Sequence, residues 1–171
     1  MEGRSKRAQA LLTELAPLTL GETLEQARSA VPGLRVHHAG DQWTLELAPD
    51  TARPLLAGVI VTPNPAQGDS ASGDAVVESV EFLLTPAQAL RLRAHTLALL
   101  GEPTSLACAG RSISETDSVI EWERNQRGGV LFTTPQRRLN GEPVVARLFV
   151  YSSSWDPRRA LSGYGIRTCD D

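Results

Sequence analysis

No apolar run in this 171-residue chain approaches the ~20 residues that a membrane-spanning helix needs. The start, MEGRSKRAQALLTELAPL, opens basic, but Thr13, Glu14 and Pro17 interrupt its apolar residues, so it does not read as a signal peptide. The expected compartment is therefore the cytoplasm, with the cell envelope or the exterior as the alternative where a leader has been removed. Cysteine is scarce. Cys108 and Cys169 have neither metal-ligand spacing nor a C-x-x-C arrangement. Paired, they would pin the tail to the second half, and closing that loop is worth on the order of 4 kcal/mol. Two free thiols are the equal alternative. Lysine occurs once, at Lys6, among 17 basic residues, which points to a compositional bias toward arginine and not to phosphate binding.

Motifs for catalysis are missing as well. There is no G-x-S-x-G around the Ser152-Ser153-Ser154 run, and no glycine-rich phosphate loop, Gly128-Gly129 reading as a hairpin turn. His37, His38 and Asp41 do not make a metal site, because adjacent strand residues point to opposite faces. Glu121 and Glu123 share a strand face and read as solvated carboxylates. The expectation is a protein that is not an enzyme, with no catalytic residue, no metal and no cofactor.

What is present is an ordinary globular composition, 41% hydrophobic and 22% charged, with a net charge of -3. Acids and bases are interspersed, which argues against a dedicated nucleic-acid surface. Arg137-Arg138 and Arg158-Arg159 read as solvated loop charges. The length allows one domain or two small ones.

The best-punctuated stretch is LTPAQALRLRAHTLALLGEPT, residues 84–104. Thr85 is the N-cap, Pro86 suits the first helical position, and Gln88 completes a capping box. Gly101 and Pro103 end the helix. Its spacing predicts a broad core face of Ala87, Leu90, Ala94, Leu97 and Leu100. Gln88, Arg91 and His95 lie opposite, with Leu92 and Leu99 forming a narrower ridge against a neighbouring helix.

Upstream, residues 5–16 read as a short helix, and Thr23 with Gln26 opens another that stops at Pro32-Gly33. Strands are predicted at 34–38, at 42–48 with Trp43, Leu45 and Leu47 on one face, at 55–62, and at 75–84. The polar loop 63–74 separates the last two. After the long helix, strands are predicted at 104–109, 118–124, 129–134 and 144–152, with Asn140-Gly141 marking a hairpin.

Each half thus reads as a helical segment followed by four strands, with Trp43 and Trp122 in equivalent strands after Ala-Gly turns. The expected architecture is α+β, two tandem helix-plus-antiparallel-four-strand-sheet repeats with helices packed on one sheet face. The first spans 1–84, the second 85–152, and residues 153–171 form an irregular tail ordered only by docking. The runs GETLEQARSAVPGL and TPAQALRLRAHTLALLGEPT resemble the G-x-T-x-x-Q…L-G-x-P-(S/T) signature of the SmpA/OmlA-type outer-membrane assembly lipoproteins. The tandem repeat is similar to that of the β-lactamase-inhibitor protein. The resemblance implies a bacterial fold of this type and a protein-binding habit. It departs from the pattern in having no lipobox cysteine near the start and no recognisable inhibitory motif.

Trp43, Trp122, Phe132 and Tyr151 are the candidate protein-binding residues: anchors if they lie on the open sheet face, core if they face the helices. The functional expectation is an adaptor, inhibitor or immunity-type factor that binds another protein through that face. A small-molecule or peptide binder with a pocket between sheet and helices is the alternative.

Overall fold

Two capping boxes decide where the chain turns helical, and both are closed in the computed structural model of the protein. The Gln26 amide donates to the Thr23 hydroxyl at 3.2 Å, and the Thr23 amide donates to the Gln26 side-chain oxygen at 2.9 Å. Thr85 and Gln88 repeat the exchange at 3.3 and 2.9 Å. The structure describes residues 3–31, 34–39, 42–47, 56–61, 73–102, 105–107, 119–125, 128–136 and 145–155, and side chains within 6–31, 73–102, 128–132 and 146–155.

Helix α1 (Gly3–Leu15) and helix α2 (Leu24–Ala30) precede four strands, β1 (Leu34–Ala39), β2 (Gln42–Leu47), β3 (Leu56–Val61) and β4 (Ser79–Leu84). Helix α3 (Pro86–Leu100) follows, then β5 (Ser105–Ala107), β6 (Val119–Asn125), β7 (Gly128–Gln136) and β8 (Val145–Tyr151). The eight strands form one antiparallel sheet in the order β1-β2-β3-β4-β8-β7-β6-β5. The fold is α+β. Instead of two separate four-stranded sheets there is one, joined where β4 runs beside β8 from Ser79↔Tyr151 to Leu84↔Ala146.

Local breaks in the ladder fall where the sequence demands them. Pro135 cannot donate to a neighbour, and the β7–β8 register shifts between Thr133 and Gln136. Gly128 opens β7 at φ +96°, and a Cβ there would lie 2.0 Å from the Tyr151 carbonyl oxygen, so only glycine fits. The approach to α2 is tied down by backbone bonds to the segment before β4: Leu24 to Ala75 at 2.8 Å, Gly21 to Val77 at 2.9 Å and Val77 to Glu22 at 2.8 Å.

One hydrophobic cluster takes residues from both halves. Leu11 and Leu12 of α1, Leu24 and Ala27 of α2, and Ala89 and Leu92 of α3 pack with Val80 and Phe82 of β4, Phe132 of β7 and Leu148 and Val150 of β8. Helix α1 lies against α3, β7 and β8, so the first 84 residues place a helix on the strands of the second half. The core is shared across the expected boundary at 84/85.

The orientation of α3 corrects the face expected from its spacing. Ala89, Leu92, Thr96 and Leu100 are buried, whereas Ala87, Leu90 and Ala94 face solvent. The narrower ridge is the core side. Thr96 is the reason: a hydroxyl in the middle of a stripe reads as polar, but it donates to the Leu92 carbonyl at 2.7 Å and enters the core satisfied.

Candidate interaction surfaces

Alternation along the central strands divides the expected aromatic anchors between two faces. Phe132 is buried in the cluster beneath the helices, in the row it shares with Leu148. It has no surface to offer a partner. Tyr151 lies on the opposite face and is also buried, 3% exposed, under Trp155, whose ring is centred 5.0 Å away. Trp155 stacks on Phe149 at 5.5 Å and 28° as well. Trp122 stands at the register position of the core residue Val130, and Trp43 at that of Val61. The side chains of Trp43 and Trp122 lie outside the described residues, as do Cys108, Cys169, His37, His38, Asp41, Glu121 and Glu123. Phe149 and Trp155 were missed by sequence reasoning. The alternation of 145–151 puts Phe149 on the same face as Tyr151, and that was the available signal; Trp155 sits in a tail without periodicity.

The face carrying Tyr151 is closed and partly polar. Arg147 donates from Nη1 to Glu81 Oε1 across the β4–β8 pair, and the two side chains are only 9% and 11% exposed. Leu131 and Phe149 are buried beside them. The Ser79 hydroxyl is fully buried and has no hydrogen-bond partner. Among the described residues, the central part of this face is therefore no open platform of aromatic anchors.

The outward side of α3 is open. Ala87, Leu90, Ala94 and Ala98 are exposed, Leu97 is half-buried, and Leu90 is 71% exposed. Ala87 with Ala94, and Leu90 with Leu97, are each seven residues apart, so they line one a/d strip over residues 87–97, whose last member, Leu97, packs partly against the core. Exposed Arg91 borders one side of it and exposed Arg93 the other, and α3 contains no acidic residue. His95, away from the seam, meets Glu14 of α1 at 2.5 Å, with both side chains about half exposed. That pair fixes α1 on α3 without occupying the seam.

A groove of about 670 Å³ runs between α1, the turn at 19–21 and the chain leaving β8. Lys6, Gln9, Thr19, Leu20, Tyr151 and Ser153 line part of it. Gln9 holds the turn: its amide donates to the Leu18 carbonyl at 3.1 Å and its oxygen accepts from the Leu20 amide at 3.0 Å. The Ser152 hydroxyl is 2.8 Å from that of Ser154. No helix among the described residues is long and apolar enough to cross a membrane, and no group of three His, Cys, Asp or Glu among them is placed to hold a metal ion.

Set against known proteins, the chain matches no family model, no curated protein and no solved structure.

Proposed function

We propose that this protein is a non-enzymatic protein-binding module, an adaptor, inhibitor or immunity-type factor, whose working surface is the outer side of α3. The observation that carries the reading is Leu90. A leucine 71% exposed between two exposed alanines is the one large hydrophobic residue left in solvent among the described residues. A single exposed leucine is unremarkable, but one placed between two exposed alanines seven residues apart has the form of a helix-docking anchor. This moves the proposed contact from the sheet to the helix, since Phe132 and Tyr151 are buried.

The reading includes a tandem duplication of a helix-plus-four-strand unit, and a relationship to the SmpA/OmlA-type lipoproteins and the β-lactamase-inhibitor protein. Its support is the strand order, in which each half runs from an outer edge to the centre, and the matched capping boxes at Thr23/Gln26 and Thr85/Gln88. The groove beside α1 favours a second reading, a small-molecule or peptide site.

The test is capture from a lysate of the cells that make the protein, with the wild-type chain and Leu90→Asp as parallel baits. The expected result is a protein retained by the wild type and lost from the variant, whose circular dichroism stays native. Identical retention by both baits would move the function away from α3.

A further inference from the structure

Resting on the protein-binding reading, we infer that the partner presents an amphipathic helix with an apolar seam and acidic flanks, which lies along α3. Three features of the surface select that occupant. First, the seam sets one exposed leucine between small residues at heptad spacing: Ala87 and Ala94 at one position and Leu90 at the other, with Leu97, seven residues on, packed partly against the core. Alanines let a second helix approach toward the close end of the usual ~8–10 Å interaxial range, and Leu90 then fills a hole between its side chains. A strand has no matching periodicity.

Second, the charged residues of α3 that border the seam have one sign. Arg91 and Arg93 flank it on opposite sides, both are exposed, and neither has an ion-pair partner among the described residues. The nearest element, α1, contributes Glu14, but that carboxylate is engaged with His95. Glutamates or aspartates on both flanks of an incoming helix would meet both guanidinium groups, and guanidinium is the cation best suited to paired carboxylate oxygens.

Third, a second copy of this chain fits poorly. Two α3 helices would bring the same arginines along one seam. The surface suits a charge-steered contact with a different chain.

The probes are two synthetic helix-forming peptides with one shared apolar seam, flanked in one by glutamates and in the other by lysines. Each is titrated into the full-length ¹⁵N-labelled protein, with affinity read by fluorescence anisotropy. The glutamate peptide is expected to shift the amides of residues 86–98 and to bind about tenfold tighter than the lysine peptide at ~0.05 M salt, an advantage that shrinks toward ~0.5 M. Arg91→Glu with Arg93→Glu should invert the preference, and Leu90→Asp should abolish binding of both peptides.

Equal affinities, shifts confined to the groove residues around Gln9 and Ser153, or no binding at millimolar peptide would each overturn the acidic-helix proposal. Self-association that Leu90→Asp removes would overturn it in favour of a second copy. Failure here together with Leu90-dependent capture from the lysate leaves the protein-binding reading standing. Failure of both removes α3 as the working surface.

Discussion

The two faces of the central strands are both closed to solvent, yet they are built from different chemistry. Under the helices, Val80, Phe82, Leu84, Ala146, Leu148 and Val150 make an apolar layer that meets the stripes of α1 and α3. On the other side, Leu131, Phe149 and Tyr151 alternate with a Glu81–Arg147 ion pair and the unpartnered hydroxyl of Ser79, and Trp155 lies on top. The first face is held by area removed from water, which tolerates no polar atom without a partner. The second keeps two charges out of water, which costs desolvation that their pairing offsets. Alternating polar and apolar residues do not by themselves make one face of a strand wet.

Phenylalanine truncation on each side is the strongest way to break this comparison. Phe82 and Phe149 are both fully buried. Replacing either with alanine should cost about 3–5 kcal/mol in urea or guanidinium unfolding, if both faces are packed to the density of a core. A loss at Phe149 below about 1.5 kcal/mol, with the full loss at Phe82, would mean that the second face opens to water in solution.

The ion pair gives a second contrast, nearly as large. Arg147→Met removes one buried partner of the Glu81 carboxylate, and the expected loss is about 3 kcal/mol. The double variant Glu81→Leu/Arg147→Met removes both charges and should return to within about 1 kcal/mol of the wild type or exceed it. A double-mutant cycle in guanidinium measures the coupling. Additive losses would show that the two side chains are solvated separately. Trp155→Ala should follow at about 2–4 kcal/mol, through its stacking on Phe149 and Tyr151.

The sequence carried the elements better than the surfaces. Capping boxes, the Gly101 stop and period-two alternation placed three helices and eight strands within a few residues of where they stand, because those signals are local. Their faces depend on neighbours that local signals do not contain. Thr96 shows how: its bond to the Leu92 carbonyl lets a hydroxyl enter the core, on the side of α3 away from Leu90. Period two sets Ser79 and Glu81 opposite Val80 and Phe82, but nothing local announces that both are buried, Glu81 beside Arg147, 66 residues further on, and under a layer that includes Trp155. Phe132 and Tyr151 show the same limit: the sequence left open which sheet face carries them, and only the β7–β8 register puts one under the helices and the other under Trp155.

The smallest predicted effect is the sharpest test of how dry the second face is. Ser79 faces the same side as Glu81, is fully buried, and its hydroxyl has no hydrogen-bond partner among the described residues. Folding therefore strips that oxygen of water without replacement, a loss that alanine does not incur. Ser79→Ala should leave the unfolding midpoint unchanged or raise stability by up to about 1 kcal/mol, because removing an unsatisfied buried hydroxyl recovers its desolvation while creating almost no cavity. A loss of about 1 kcal/mol or more would show that the hydroxyl is bonded in solution. The polar network around Glu81 and Arg147 would then extend through water to Ser79, and the contrast would be between a dry face and a wet one instead of two dry faces of different composition.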